Sequence, residues 1–137
     1  MTYDRRCFGC GVENPQGLQL QFENEGEQVS CEAELSATYQ SWQGIIHGGV
    51  VALLMDEAVG WAAWHAGHPG VTGKLEVRLR QPLKVGERVR IVGRVDRIQR
   101  RLVYTTSTVT RASDGSLVAE ATATLMASPT AIAPPSD

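Results

Sequence analysis

The sequence predicts an α+β fold, a largely antiparallel curved sheet wrapped around one long central helix. Three features point to it: several segments alternate apolar and polar residues, one long proline-free segment is apolar on nearly every side, and the connections are too short for repeated crossover helices. At 137 residues, with 42% hydrophobic and 20% charged side chains, the chain has the size and composition of one globular domain. That domain is expected over residues 1–127. Residues 128–137 carry three prolines and no periodicity and read as a mobile tail.

Leu18, Leu20 and Phe22 alternate with glutamines up to a turn at Asn24–Gly26, and Val29, Cys31, Ala33 and Leu35 then alternate with Ser30, Glu32 and Glu34. The pattern predicts a hairpin of two half-buried strands. From Gly48 to about His65 the alternation stops, and VVALLMDEAVGWAAW predicts one buried helix. After the break at Gly67–Gly70 a period of two returns, with Leu75, Val77 and Leu79 opposite Lys74, Glu76, Arg78 and Arg80, until Pro82 ends the strand. Strands are then expected over about 87–98, 101–112 and, past the Ser113–Gly115 turn, 117–127. In the last of these Ala119, Ala121 and Ala123 share a face with Leu117 and Leu125, leaving room for something packed closely on the sheet. There is no internal repeat and no second domain in this pattern. A single apolar helix is covered best when long, twisted strands curl around it.

No run approaches the roughly 18 consecutive apolar residues of a membrane span, because Asp56 and Glu57 interrupt the longest one. Residues 1–6 are polar and lack a signal-peptide core, so the cytoplasm is the expected compartment. The net charge of −2 conceals a basic stretch, since ten of the thirteen basic residues lie between Lys74 and Arg101. Nucleic acid is not an expected partner, because the chain is acidic overall and aromatic residues hardly interleave with the arginines. Cys7-Phe8-Gly9-Cys10 has metal or redox spacing, but no second CxxC or histidine pair completes a four-ligand site. Both thiols are therefore read as buried and reduced, Cys31 as core, and no metal is expected.

Gly44-Ile45-Ile46-His47-Gly48-Gly49 leads directly into the helix. The first helical N–H groups lack intrahelical partners and carry partial positive charge, which suits them to polarise a carbonyl and stabilise the oxyanion formed when it is attacked. Asp56 places a carboxylate in the most apolar stretch of the chain, a costly position unless the group is paired, solvated or used. It shares a helical face with Gly49, Ala52, Gly60 and Ala63, small residues that let a substrate or second chain approach. Eight residues at about 1.5 Å rise put Gly48 and Asp56 roughly 12 Å apart, so one carbonyl carbon cannot touch both. Two antiparallel helices related by a twofold axis would set each helix start against the middle of the other, giving two equivalent sites per dimer.

The segment YQSWQGIIHGGVVALLMDEAVGW, followed by VTGKLEVRLRQPLKVGE, resembles the hotdog thioesterases of the phenylacetyl-CoA and 4-hydroxybenzoyl-CoA type. CFGCGVENPQGLQLQF is similar to the opening of one branch of that family. The resemblance covers Cys7 to Ala127 and implies a hotdog fold, hydrolysis of acyl- or aryl-CoA thioesters, no cofactor, and a homodimer or dimer of dimers. It also implies that Gly48 supplies the oxyanion N–H, Asp56 of the partner subunit acts as nucleophile or general base, and His47 positions the thioester or the loop. Thr72 would orient an attacking water, with Gly49 beside the substrate. The sequence departs from the pattern at Ser41, where some relatives carry Asn; Gln43 is the substitute donor. Coenzyme A phosphates would meet arginines of the basic stretch, either Arg88 and Arg90, on one strand face with Arg94, or Arg100 and Arg101 at a hairpin tip. Trp61 and Trp64 read as core, and His65 as complementing the helix C-terminus.

Two other functions fit the same residues less well. A non-catalytic acyl-CoA binding module would bind ligand tightly without releasing thiol. A dehydratase or hydratase would need a histidine and a carboxylate poised on one substrate carbon, which His47 and Asp56 do not offer.

Overall fold

In the computed structural model, which describes residues 3–129, a six-stranded antiparallel sheet curves around one long helix. The strands are β1 (Glu23–Asn24), β2 (Val29–Glu34), β3 (Gly70–Leu79), β4 (Arg88–Gln99), β5 (Leu102–Arg111) and β6 (Leu117–Ala127), in the order β1-β2-β4-β5-β6-β3. The helix α1 spans Gly48–His65, the range expected from the apolar run. This is the hotdog arrangement.

Leu54, Met55, Ala58, Val59 and Ala63 are fully inaccessible to solvent and meet the inner rows of the sheet, including Val89 and Ile91 of β4 and Val103 and Val109 of β5. The small inner row of β6 is filled in the same way, because Ala119, Ala121 and Ala123 accept the helix. Gly93 makes the closest approach: a Cβ there would lie 2.4 Å from the Ala58 carbonyl oxygen. Only glycine lets β4 and α1 come this near.

The expected first strand is a correction. Leu20 is buried and Gln19 and Gln21 are exposed, as the alternation predicts, but ladder pairing to β2 covers only Glu23 and Asn24. Residues 18–20 instead bond to the N-terminal turn, the Leu18 N–H donating to Phe8 O (2.9 Å) and the Leu20 N–H to Gly9 O (2.9 Å). Gln19 has φ of 53°, which breaks the extended path. Period-two burial thus arises here from packing against a loop, not from a ladder.

Strand β3 also departs from its pattern at both ends. Leu79, expected on the inner row, is 55% exposed and Val71 59% exposed, where the strand forms the edge of the sheet and has no neighbouring strand on one side among the described residues. Past β6 one further backbone bond, Ser128 N–H to Pro69 O (2.8 Å), continues the edge; most of the expected tail, residues 130–137, lies outside the described residues. No helix among the described residues is long and apolar enough to cross a membrane.

Candidate active site

The segment before α1 is held on both sides. His47 N–H donates to Tyr39 O (2.9 Å), Ile46 N–H to Leu83 O (2.8 Å) and Val85 N–H to Gly44 O (2.9 Å), and Gly44, at φ of 81°, makes the turn that allows this stitching. The helix start is therefore fixed by residues far apart in sequence. Arg111 adds a brace beneath it, bonding Glu87 (2.7 Å), the Pro82 carbonyl (2.6 Å) and Gln81.

His47 is the N-cap. Its Nδ1 accepts the Gly49 N–H at 2.9 Å, so in the neutral ring the proton sits on Nε2. The Val50 and Val51 N–H groups both donate to His47 O. That leaves the Gly48 N–H, which has no partner among the described residues and opens on a cavity of about 250 Å³ bordered by Ser41, Ile46, Val51, Leu79 and Arg80. The sequence treated Gly48 and Gly49 together. The structure separates them, since the Gly49 amide is occupied by the His47 ring and only that of Gly48 is available.

Asp56 opens on a different cavity of about 470 Å³, bordered by Cys7, Cys10, Trp61, Trp64 and Thr72 among others. Thr72 donates its hydroxyl to Asp56 Oδ1 at 2.7 Å. The register of β3 against β6 shifts between Thr72 and Lys74, and such a bulge re-aims a side chain; here it accompanies a Thr72 that faces α1. Thr72 was expected to orient water. Its proton is instead spent on the carboxylate, leaving only its lone pairs for a water. Gly60 leaves one wall open, with nothing within 4 Å of the place a Cβ would take, whereas Ala63, expected on that open face, is fully buried in the core.

Trp61 and Trp64, read as core residues, are half-buried and line the cavity, their ring centroids 5.9 Å apart. The Trp64 Nε1–H is buried without a partner among the described residues. Next to Asp56, burial, and after it the Asp56 charge, push the Glu57 carboxyl up from the usual range. The two cavities share no bordering residue, in line with the roughly 12 Å that helical rise puts between Gly48 and Asp56.

Three expected site residues fall elsewhere. Gln43 is exposed and borders neither cavity, while Ser41, the position of the sequence departure, borders the one at Gly48. Arg88 is bonded to Glu32 through Nε and Nη2 (3.2 and 3.0 Å), and Arg90 to Glu25 at 2.9 Å, because β4 sets them beside the acidic β1–β2 segment. Neither borders the cavity at Gly48 or the one at Asp56. Arg80, ion-paired with Glu120 at 3.3 Å, borders the cavity at Gly48, and Arg78 borders a third cavity of about 390 Å³ together with Glu76 and Glu120.

A family model described as thioesterase superfamily matches residues 43–118. Human acyl-coenzyme A thioesterase 13 is 28% identical over 95 residues, 68% of each chain. A crystal structure of a thioesterase superfamily protein superposes with a TM-score of 0.83 at 27% identity, covering 89% of this chain and 60% of that longer one. A Streptococcus mutans protein crystallised bound to acetyl CoA shares the fold, with a TM-score of 0.74 at 24% identity over 80% of this chain and 88% of that one.

Proposed function

The chain belongs to the thioesterase superfamily, and from that premise we propose that it hydrolyses acyl- or aryl-CoA thioesters at a site shared by two copies of itself. It is a thioester hydrolase; the substrate class and the residue roles are what the proposal adds. One observation carries it: the helix start leaves a single unpartnered N–H, at Gly48, while the carboxylate that could drive attack lies in a separate cavity on the same helix.

The thioester carbonyl oxygen accepts a hydrogen bond from the Gly48 N–H, whose partial positive charge is reinforced by the helix dipole. Asp56 of the partner subunit, steadied there by Thr72, attacks the carbonyl carbon directly or takes a proton from an attacking water. The tetrahedral oxyanion rests on the Gly48 N–H. It collapses with cleavage of the carbon–sulfur bond, and coenzyme A leaves as the thiol, taking the proton that Asp56 removed from the water. After direct attack, water hydrolyses the acyl–Asp56 anhydride, which frees the acid, restores the carboxylate and supplies the proton for sulfur. His47 holds the loop by capping the helix, so its ring is a positioning group. The aromatic cavity beside Asp56 takes the acyl group, and Arg80 replaces Arg88 and Arg90 as the residue set to meet a coenzyme A phosphate.

Support for the shared site comes from β3. It is an edge strand of ten residues with one side unpaired, a form that invites pairing with another chain. Its ends border the two cavities, Leu79 beside Gly48 and Val71 beside Asp56. Antiparallel pairing of β3 with its own copy, centred on Leu75, sets Leu79 of one chain opposite Val71 of the other. That brings the Gly48 cavity of one subunit to the Asp56 cavity of its partner.

Thiol release from a panel of short, long and aromatic acyl-CoAs tests the activity, and Asp56→Asn should abolish it while substrate still binds. Chains altered only at Gly48, mixed with chains altered only at Asp56, should recover part of the lost turnover. Full activity of Asp56→Asn, or of a monomer, overturns the reading. Tight acyl-CoA binding with no thiol release selects the non-catalytic binding module instead.

A further inference from the structure

The N-terminal turn lays Cys7 and Cys10 on the middle of α1, against Glu57. The two sulfur atoms and one Glu57 carboxylate oxygen all lie within 4.8 Å of one another, with Cys7 Sγ 3.8 Å from Glu57 Oε1. Zinc bonds of about 2.3 Å to sulfur and about 2.0–2.2 Å to oxygen put neighbouring ligands of a tetrahedron roughly 3.3–3.8 Å apart. The three atoms therefore need to draw together by no more than about 1.5 Å.

The turn is built to hold them there. Gly11 N–H donates to Cys7 O (2.8 Å), and the Phe8 and Gly9 carbonyls are bonded by the Leu18 and Leu20 N–H groups. A Cβ at Gly9, between the two cysteines, would lie 2.2 Å from Glu57 Cδ, so glycine is what allows the loop to rest on the carboxyl. Cys10 is 5% exposed. Glu57 has Cys10, Cys7, Trp61 and Asp56 as neighbours and makes no ion pair with Lys, Arg or His among the described residues. A half-buried carboxyl that faces two thiols without an ion-pair partner is a donor set in want of a cation.

We propose that Cys7, Cys10 and Glu57 bind one thiophilic divalent cation, Zn²⁺ in chemical class, with its fourth position open to the cavity that also holds Asp56. Both thiols lose their protons to solvent on binding, Glu57 binds as the carboxylate, and the two thiolates exclude Mg²⁺ and Ca²⁺. The bound ion ties the N-terminal segment to α1.

The untagged chain, reduced and stripped with chelator, is titrated with Co²⁺ and then Zn²⁺. One Co²⁺ per chain should bind with a near-ultraviolet thiolate charge-transfer band, Zn²⁺ should displace it, and the melting temperature should rise by several degrees. Cys7→Ser and Cys10→Ser should each weaken affinity at least tenfold, and Glu57→Gln should weaken it while keeping the band. Absence of the band, or affinity unchanged in the double serine variant, overturns the proposal. Should the serine variants fail to fold, alkylation of the unaltered chain decides: saturating Zn²⁺ should protect Cys7 and Cys10, and no protection overturns the site. Reversible formation of a Cys7–Cys10 disulfide with no metal uptake also overturns it, in favour of a redox pair.

Discussion

Replacing Gly48 by proline removes the one group assigned to the oxyanion and very little else. Gly48 is the first residue of α1, where proline is well tolerated because its fixed φ suits the helix and the missing N–H has no intrahelical partner. The residue before proline must be extended, and His47 already has φ −57° and ψ 131°. No ground-state hydrogen bond is lost, since the Gly48 N–H has no partner among the described residues. The remaining conflict is steric, a Cβ at this place lying 2.9 Å from Leu79 Cδ1, the end of an exposed side chain that can rotate away. A gain of about 0.4–1 kcal/mol from restricting the unfolded chain offsets that contact, so the melting temperature should move by no more than about 5 °C. Turnover should fall far more. Loss of one oxyanion donor typically costs about 10²–10³ in kcat, whereas Gly48→Ala, which adds the same Cβ and keeps the N–H, should lose less than about tenfold. Thiol release at saturating acyl-CoA, with melting curves for both variants, measures this. A folded proline variant that turns over like the unaltered enzyme would show that the Gly48 amide is not the oxyanion donor.

Thr72→Val removes the 2.7 Å bond to Asp56 but keeps the shape; a bond to a charged acceptor is worth about 1.5–3 kcal/mol, so kcat/KM should drop roughly 10–100-fold and Thr72→Ser should restore most of it. Gly93→Ala forces a Cβ to 2.4 Å from a backbone oxygen of the buried helix, and a loss of about 2 kcal/mol or more should lower the melting temperature by roughly 8 °C or prevent folding. The Glu57 carboxyl is pushed up by burial. Above its unfolded pKa, near 4.5, the metal-free native state holds this proton more tightly than the unfolded chain, so this group's contribution to stability falls as pH rises through the window up to its folded value. In metal-free protein Glu57→Gln should therefore melt higher than the unaltered chain at pH 8 and converge with it at pH 4; equal melting temperatures at both pH values would remove Glu57 as the cause. Arg80→Gln should raise KM for acyl-CoA several-fold and leave a pantetheine thioester lacking the nucleotide unaffected, which separates a phosphate contact from a role at the thioester.

The helix and most of the last strand were legible in the sequence because little in either competes with its pattern. An apolar run without proline has one good solution when it must be buried, and β6 alternates small and polar residues from Ala119 to Thr124; only at its start does a register shift bury Val118 and leave Leu117 half-buried. The 18–22 segment shows where the period of two fails: burial every second residue is a statement about contact with a core, and a loop that runs across the N-terminal turn satisfies it as well as a ladder does.

For the site, the sequence could supply the residues on one helix and the distance between them, since helical rise is fixed by backbone geometry. It could not supply what each meets from elsewhere in the chain. That Thr72 spends its hydroxyl on Asp56 depends on a bulge in β3, that Arg88 and Arg90 are engaged by Glu32 and Glu25 depends on which strand neighbours β4, and that Glu57 meets two thiols depends on the path of the N-terminal turn. The same limit applies to the cysteines, whose spacing alone showed two ligands and no third. Contacts of this kind are settled by sheet order, and sheet order is set by the summed burial of whole strands, not by any residue of the site. It also explains why β3 carries so much of the functional reading. As the terminal strand it is free of neighbours on one side among the described residues, and it passes both cavities, so pairing along its open edge is the route by which the proposed shared site would be joined.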